Sequence, residues 1–176
     1  MRINLWAAAG VGKSTVASGL YYHLKKDGYN VELVSEYIKK WAYEKKVPKS
    51  FDQLYVFAKQ LHTEDSFLNH GVEHLVTDSP IGLQLYYTWK YNFISHANLV
   101  NVAKDFETKY PSFNILLDRE GIEYKARGRY ETEEQAKHND LELCGFMNNL
   151  LSGNYITCKS IDLDLIVEKV KEQLCT

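Results

Sequence analysis

The stretch Ile3-Asn4-Leu5-Trp6-Ala7-Ala8-Ala9-Gly10-Val11-Gly12-Lys13-Ser14-Thr15 constrains this chain more than any other part of it. A short run of strand character enters a tight loop of small residues, and Gly-x-Gly-Lys-Ser-Thr then opens a helix. Small residues let successive backbone N–H groups turn inward around an anion, and the helix N-terminus aims its partial positive charge at the same point. This is the layout of a phosphate-binding loop, with Ala9, Gly10, Val11, Gly12, Lys13, Ser14 and Thr15 as its nucleotide-binding segment. In that layout Lys13 reaches the β- and γ-phosphates, and the Ser14 hydroxyl helps to hold Mg²⁺. The usual pattern begins with a glycine where this chain has Ala7, whose methyl group disfavours backbone conformations open to glycine.

A length of 176 residues fits one domain over 1–176 with a core of its own. A net charge of −2 argues against a protein whose main work is non-specific nucleic-acid binding, although a local basic groove stays open. Arginine occurs only at Arg2, Arg119, Arg127 and Arg129, so three of the four fall close together. Cys144, Cys158 and Cys175 lack metal-ligand spacing and suit packing in a reducing cytoplasm, a host's if the source is viral. The first strand begins at Arg2 or Ile3, which leaves no room for a targeting segment, and no apolar run nears the ~20 residues of a membrane span.

Along the chain, Val16, Ala17, Leu20, Tyr21 and Leu24 recur at helical spacing up to Gly28. Val31–Val34 reads as a strand with Ser35-Glu36-Tyr37 at its carboxyl end, and a lysine-rich helix from Ile38 to Lys46 follows. Ser50 and Gln53 match a capping box opening a long helix with Leu54, Phe57, Ala58, Leu61 and Leu68 inward, closed by Gly71. His74–Thr77 is a strand running into Asp78-Ser79-Pro80. The aromatic concentration from Leu85 to Phe93 is either a bulky core helix or a wall on which a flat ring stacks, Tyr86 among its candidates. A helix from about Asn98 uses Leu99, Val102, Ala103 and Phe106, and Phe113–Leu117 is a strand. A charged stretch at about 119–132, with Arg127 and Arg129, reads as a mobile lid. Thr132 and Gln135 make a second capping box, Tyr155–Cys158 is a fifth strand, and a last helix starts near Asp162.

Strands alternating with helices imply an α/β fold, a five-stranded parallel sheet with helices on both faces. In such a sheet ligands bind beyond the carboxyl ends of the strands, where Glu36 and Asp78 stand. Phosphoryl transfer needs charge neutralisation, a metal and a group that handles the acceptor hydroxyl. Lys13 and Ser14 supply the donor side, Asp78 an Mg²⁺ ligand, Glu36 a general base, and Arg127 with Arg129 a closing lid that excludes water. Each has a plainer reading. Asp78 could cap the next turn, Glu36 could be solvated, and the Arg-Gly-Arg loop could be charged surface.

In these pieces the chain resembles the small P-loop kinases of the phage type, and is similar to nicotinamide-riboside kinase domains and deoxynucleoside kinases. The matching residues are Gly10–Thr15, Val31–Tyr37, Phe57–Leu61 with Glu64-Asp65, Thr77–Pro80, and Gly128-Arg129-Tyr130 followed by Thr132-Glu133-Glu134. The resemblance implies a P-loop NTPase fold with strand order 2-3-1-4-5. It also implies ATP with Mg²⁺ as donor, and a nucleoside-like acceptor near Glu36, Tyr37, Gln60 and Tyr86. The expected activity is transfer of the γ-phosphoryl group to a nucleoside or (deoxy)nucleoside monophosphate, with a homodimer allowed. Two alternatives stay open: a phage DNA-modification kinase acting on a hydroxymethylated base in DNA, and a P-loop ATPase serving as a switch or partner-binding module. Lys39, Lys40 and Lys59 are the acceptor-side cations outside the lid, which leaves open whether the acceptor already carries a phosphate.

Overall fold

The computed structural model describes residues 1–49, 51–126 and 130–175. Five parallel strands form one sheet: β1 (Arg2–Trp6), β2 (Val31–Val34), β3 (His74–Thr77), β4 (Ser112–Asp118) and β5 (Ile156–Lys159). Their spatial order is β2-β3-β1-β4-β5, as the resemblance implies. β1 is central and buried at all five positions, and alternation along it sends side chains to two different cores. Ile3, Leu5 and Ala7 face one way, against Leu20 and Leu24 of α1 (Lys13–Lys26) and Ile166 and Val170 of α7 (Leu163–Leu174).

The opposite face of the sheet carries four helices, α3 (Asp52–Asn69), α4 (Ile81–Lys90), α5 (His96–Lys109) and α6 (Glu133–Leu151). Trp6 packs there with Leu83, Tyr86, Leu143 and Met147, beside a cluster of Phe57, Ile81, Leu85, Leu99 and Phe106. Gly82 lets the indole approach, since a Cβ there would stand 2.1 Å from Trp6 Cη2. The expected capping box at Thr132 is present: its hydroxyl accepts the Gln135 N–H at 3.2 Å, and the Gln135 side chain accepts the Thr132 N–H at 2.8 Å. The capping box expected at Ser50 lies outside the described residues.

Several expectations are corrected. The lysine-rich helix is only α2 (Lys39–Tyr43), because Lys45 at φ 55° ends it in a left-handed turn. α3 turns Leu54 and Ala58 outward, and its buried face is Gln53, Val56, Phe57, Gln60 and Glu64. Polar side chains are tolerated there because partners meet them: Gln60 Nε2 donates to Glu64 Oε1 at 3.0 Å, and Arg2 Nη1 lies 3.3 Å from Glu64 Oε2. Val102 on α5 is exposed, and of the cysteines only Cys158 is buried, with Cys175 on the surface. No helix among the described residues is long and apolar enough to cross a membrane.

Candidate active site

The loop after β1 holds two left-handed glycines, Gly10 at φ 82° and Gly12 at φ 94°, where a side chain would be strained. Gly12 caps α1, and its carbonyl accepts the N–H groups of Thr15 and Val16 at 2.9 and 3.0 Å. No described side chain caps this helix, which leaves its first-turn N–H groups suited to an anion held by the loop. Ala7 is fully compatible with the turn. Among described residues only Lys45, Asn92 and Ser152 combine a side chain with positive φ, so the methyl group at position 7 meets no such strain. Lys13 Nζ donates to the Ala7 and Ala8 carbonyls at 2.7 and 2.9 Å, which folds it along the loop.

Two residues outside the motif hold the loop from the side of α6. Arg119, just past β4, pairs with Asp140 and donates to the Ala9 carbonyl at 3.1 Å. Asp140 Oδ1 in turn accepts the Ala8 N–H at 3.3 Å. The Tyr124 ring covers the loop over Gly10, where a Cβ would stand 2.6 Å from its Cδ2. Arg119 and Asp140 lie 21 positions apart, on elements whose contact no local spacing announces.

A cavity of about 540 Å³ opens from this loop. Gly10, Gly12, Lys13 and Ser14 line it from the loop, and Glu36, Lys39, Lys49 and Glu131 add charged side chains, Lys39 Nζ donating to Ser14 Oγ at 2.8 Å. Its wall also includes Gln53, Gln84, Tyr87, Tyr91 and Phe93, with Tyr130 and Glu131 contributed by the stretch before α6. Tyr130 reaches across to donate its hydroxyl to the Lys46 carbonyl at 2.7 Å. Asp78 stands just behind the wall, 2% exposed, and its Oδ1 accepts the Glu36 N–H at 2.7 Å. That bond fixes the backbone from which the Glu36 side chain departs.

The expected site residues are divided by this geometry. Ala9, Gly10, Gly12, Lys13, Ser14 and Glu36 come together on one cavity, with Asp78 supporting Glu36, whereas Val11 packs into the core and Thr15 does not line the cavity. Tyr86 does not join them: it is fully buried in the α4–α6 core and donates to Glu142 Oε2 at 3.2 Å. Helical phase explains this, since residues 84, 87 and 91 share the face toward the cavity and 83 and 86 share the face toward the core. Gln60 is 1% exposed and spends its amide on Glu64 and Thr77, inside the protein and off the cavity wall. Tyr37 turns outward to bond the Tyr55 hydroxyl at 2.9 Å. Lys59 and Lys40 are exposed, whereas Lys39 lines the cavity. Arg127 and Arg129 lie outside the described residues. The aromatic stretch from Leu85 to Phe93 divides between its two readings, with Tyr87, Tyr91 and Phe93 on the cavity; Gln53, Gln84 and Glu131 join them without having stood out in the sequence, although the spacing Gln84, Tyr87, Tyr91 is a one-face helical signal.

Burial, reinforced by the negative charges of Glu131 and Glu36, pushes the Tyr87 hydroxyl well above its ordinary range. Tyr91 is raised by burial and then by Glu131, and Tyr130 by burial and then by Glu36 and Glu131. At neutral pH all three phenols therefore remain protonated and can donate hydrogen bonds. For a divalent cation the available groups are hard oxygens, the Ser14 hydroxyl on the cavity and the Asp78 carboxylate behind it. Among described residues no three His, Cys, Asp or Glu side chains are grouped to hold a metal. The donor set therefore suits Mg²⁺ that arrives with phosphates and needs few protein ligands.

No family profile matches the chain, and no curated protein matches it in sequence. Solved structures do match its fold. A deoxyadenosine kinase from M. mycoides with products dCMP and a flexible dCDP bound superposes with a TM-score of 0.60 at 19% identity, covering 99% of this chain and 98% of that one. The same kinase with bound dATP gives a TM-score of 0.59 at 17% identity, with both chains covered completely. A third structure, APE1195, gives 0.54 at 16% identity over 98% of this chain and 93% of its own. The chain thus shares its fold, with the strand order β2-β3-β1-β4-β5, with these deoxyadenosine kinase structures.

Proposed function

We propose that this protein is an Mg-ATP-dependent kinase that transfers the γ-phosphoryl group to a nucleoside or (deoxy)nucleoside monophosphate. One observation carries the reading: a single cavity joins the phosphate loop to Glu36 and to a wall of amides and aromatic rings. A phosphate donor needs the first end, and a flat base bearing a hydroxyl group suits the second. The shared fold of a deoxyadenosine kinase supports it.

In the proposed step the acceptor hydroxyl oxygen attacks the γ-phosphorus. The bond from that phosphorus to the β,γ-bridging oxygen breaks, ADP leaves, and the hydroxyl proton passes to the Glu36 carboxylate. Lys13 leaves the Ala7 and Ala8 carbonyls for the β- and γ-phosphates, and Ser14 with Asp78 would hold Mg²⁺, which would neutralise phosphate charge. Arg127 and Arg129 complete the lid in this reading, beside Tyr130 and Glu131 on the cavity.

A second acceptor, a hydroxymethylated base in DNA, is favoured by the surface beside the cavity. Lys40, Lys45, Lys46 and Lys49 are exposed there among the exposed rings of Tyr43, Phe51 and Tyr55, a combination that suits single-stranded nucleic acid. The test is transfer of label from [γ-³²P]ATP to a panel of nucleosides, nucleoside monophosphates, nicotinamide riboside and hydroxymethylated DNA. Label in a small acceptor supports the main reading, and label in DNA alone supports the second. Hydrolysis with no labelled acceptor would remove both and favour the ATPase switch.

A further inference from the structure

We infer that Lys39 is a ligand of the donor's terminal phosphate, delivered from the acceptor side of the cavity; the inference rests on the kinase reading above. Lys39 opens α2, three residues after Glu36, and its Nζ donates to Ser14 Oγ at 2.8 Å. The segment between is anchored, since the Glu36 N–H is held by Asp78 at 2.7 Å. Lys40, its neighbour in the same helix, has a different fate: its side chain is 81% exposed and lies 3.8 Å from Glu44. The turn of α2 thus selects one lysine of the pair and aims it at the phosphate loop.

The atom Lys39 holds is the informative part. A serine hydroxyl at this place in a phosphate loop lies beside the β- and γ-phosphates and gives its oxygen lone pair to the divalent cation. An ammonium on that lone pair and a divalent cation on the same oxygen repel each other, so binding of the Mg-nucleotide displaces Lys39 from Ser14. The displaced group stays on a flexible four-carbon stem inside the same cavity, and a terminal phosphate bound beside Ser14 would lie within its reach. Lys13 approaches from the other side, from the loop's own carbonyls. The two lysines would flank the transferring group, one fixed by the donor loop and one by the acceptor helix.

This arrangement predicts discrimination between triphosphate and diphosphate. Calorimetric titration of the full chain with the Mg complexes of ADP and of the β,γ-imido analogue of ATP tests it, in the wild type, K39M and K39R. The expected result is a loss of about tenfold in affinity of K39M for the triphosphate analogue, roughly 1.4 kcal/mol, with less than about a twofold change for ADP. K39R should recover most of the difference. Equal loss for both nucleotides, or no loss for either, overturns the role of Lys39 while leaving the donor site standing. A wild-type protein that binds neither nucleotide overturns this role and the kinase reading together.

Discussion

Replacing Arg2 by methionine should strand a carboxylate inside the protein. Arg2 is 2% exposed and Glu64 is fully buried, with Nη1 3.3 Å from Oε2. The same guanidinium donates from Nε to the Tyr110 carbonyl at 2.8 Å, pairs with Glu107, and lies 4.5 Å from the centre of the Phe106 ring. Removing one partner of a buried ion pair costs about 3–5 kcal/mol, because the other charge stays desolvated. Set against a typical stability of about 5–15 kcal/mol, that is a large fraction. With a urea slope on the order of 2 kcal/mol per M, the midpoint should fall by roughly 1.5–2.5 M.

The pH dependence follows from burial, which raises the Glu64 pKa, while Arg2 and the Gln60 amide pull it down. A carboxyl whose folded pKa lies above its unfolded value stabilises fully below the unfolded value and loses that contribution as pH rises through the folded one. Without Arg2 the folded pKa moves higher still, so R2M should lose stability between pH 5 and pH 7 more steeply than the wild type. Adding E64L should return part of the loss, since it removes the stranded carboxylate while the Tyr110 carbonyl and the Gln60 amide have each lost a partner. Urea denaturation at both pH values decides the matter. An R2M midpoint within about 0.3 M of wild type at pH 7 would refute the reasoning, as would an unchanged pH slope.

Gly10→Ala should weaken nucleotide binding at least tenfold, because φ 82° strains the new residue and its Cβ meets Tyr124 at 2.6 Å; an unchanged ADP affinity by calorimetry would count against the loop. Gly82→Ala should destabilise by about 1–3 kcal/mol through overpacking against the indole of Trp6, with a change in tryptophan fluorescence. Gly145→Ala, in α6 with nothing within 4 Å of the new Cβ, should instead stabilise, by roughly 0.5–1 kcal/mol. Thermal unfolding of the two variants checks the opposite signs.

What could be read before the structure, and what could not, follows the range of the interactions. The phosphate loop, the alternation of elements and the Thr132 capping box depend on neighbours a few positions apart, and the structure has them all. Glu36 was placed by its position at a strand end, which topology then set beside the loop. Gln60 and Gln53 show the limit. Both are polar residues on α3, yet Gln60 is sealed by Glu64 and Thr77 and Gln53 faces the cavity. They share one face of α3 two turns apart, so position along the helix, which no local pattern reveals, decides between them. The aromatic stretch divides by a single residue of helical phase, Tyr86 into the core and Tyr87 onto the cavity. Arg119 and Asp140 meet only through the folding of α6 against β4, so no local spacing joins them.

The central claim is that donor and acceptor meet in one cavity, with Glu36 serving the acceptor and the loop serving the donor. Its most direct test is Glu36→Gln with an acceptor identified from the panel, followed under single-turnover conditions with [γ-³²P]ATP. The account predicts that transfer falls by about 10²–10⁴-fold while ADP affinity stays within about twofold of wild type. Transfer at the wild-type rate in Glu36→Gln would contradict it.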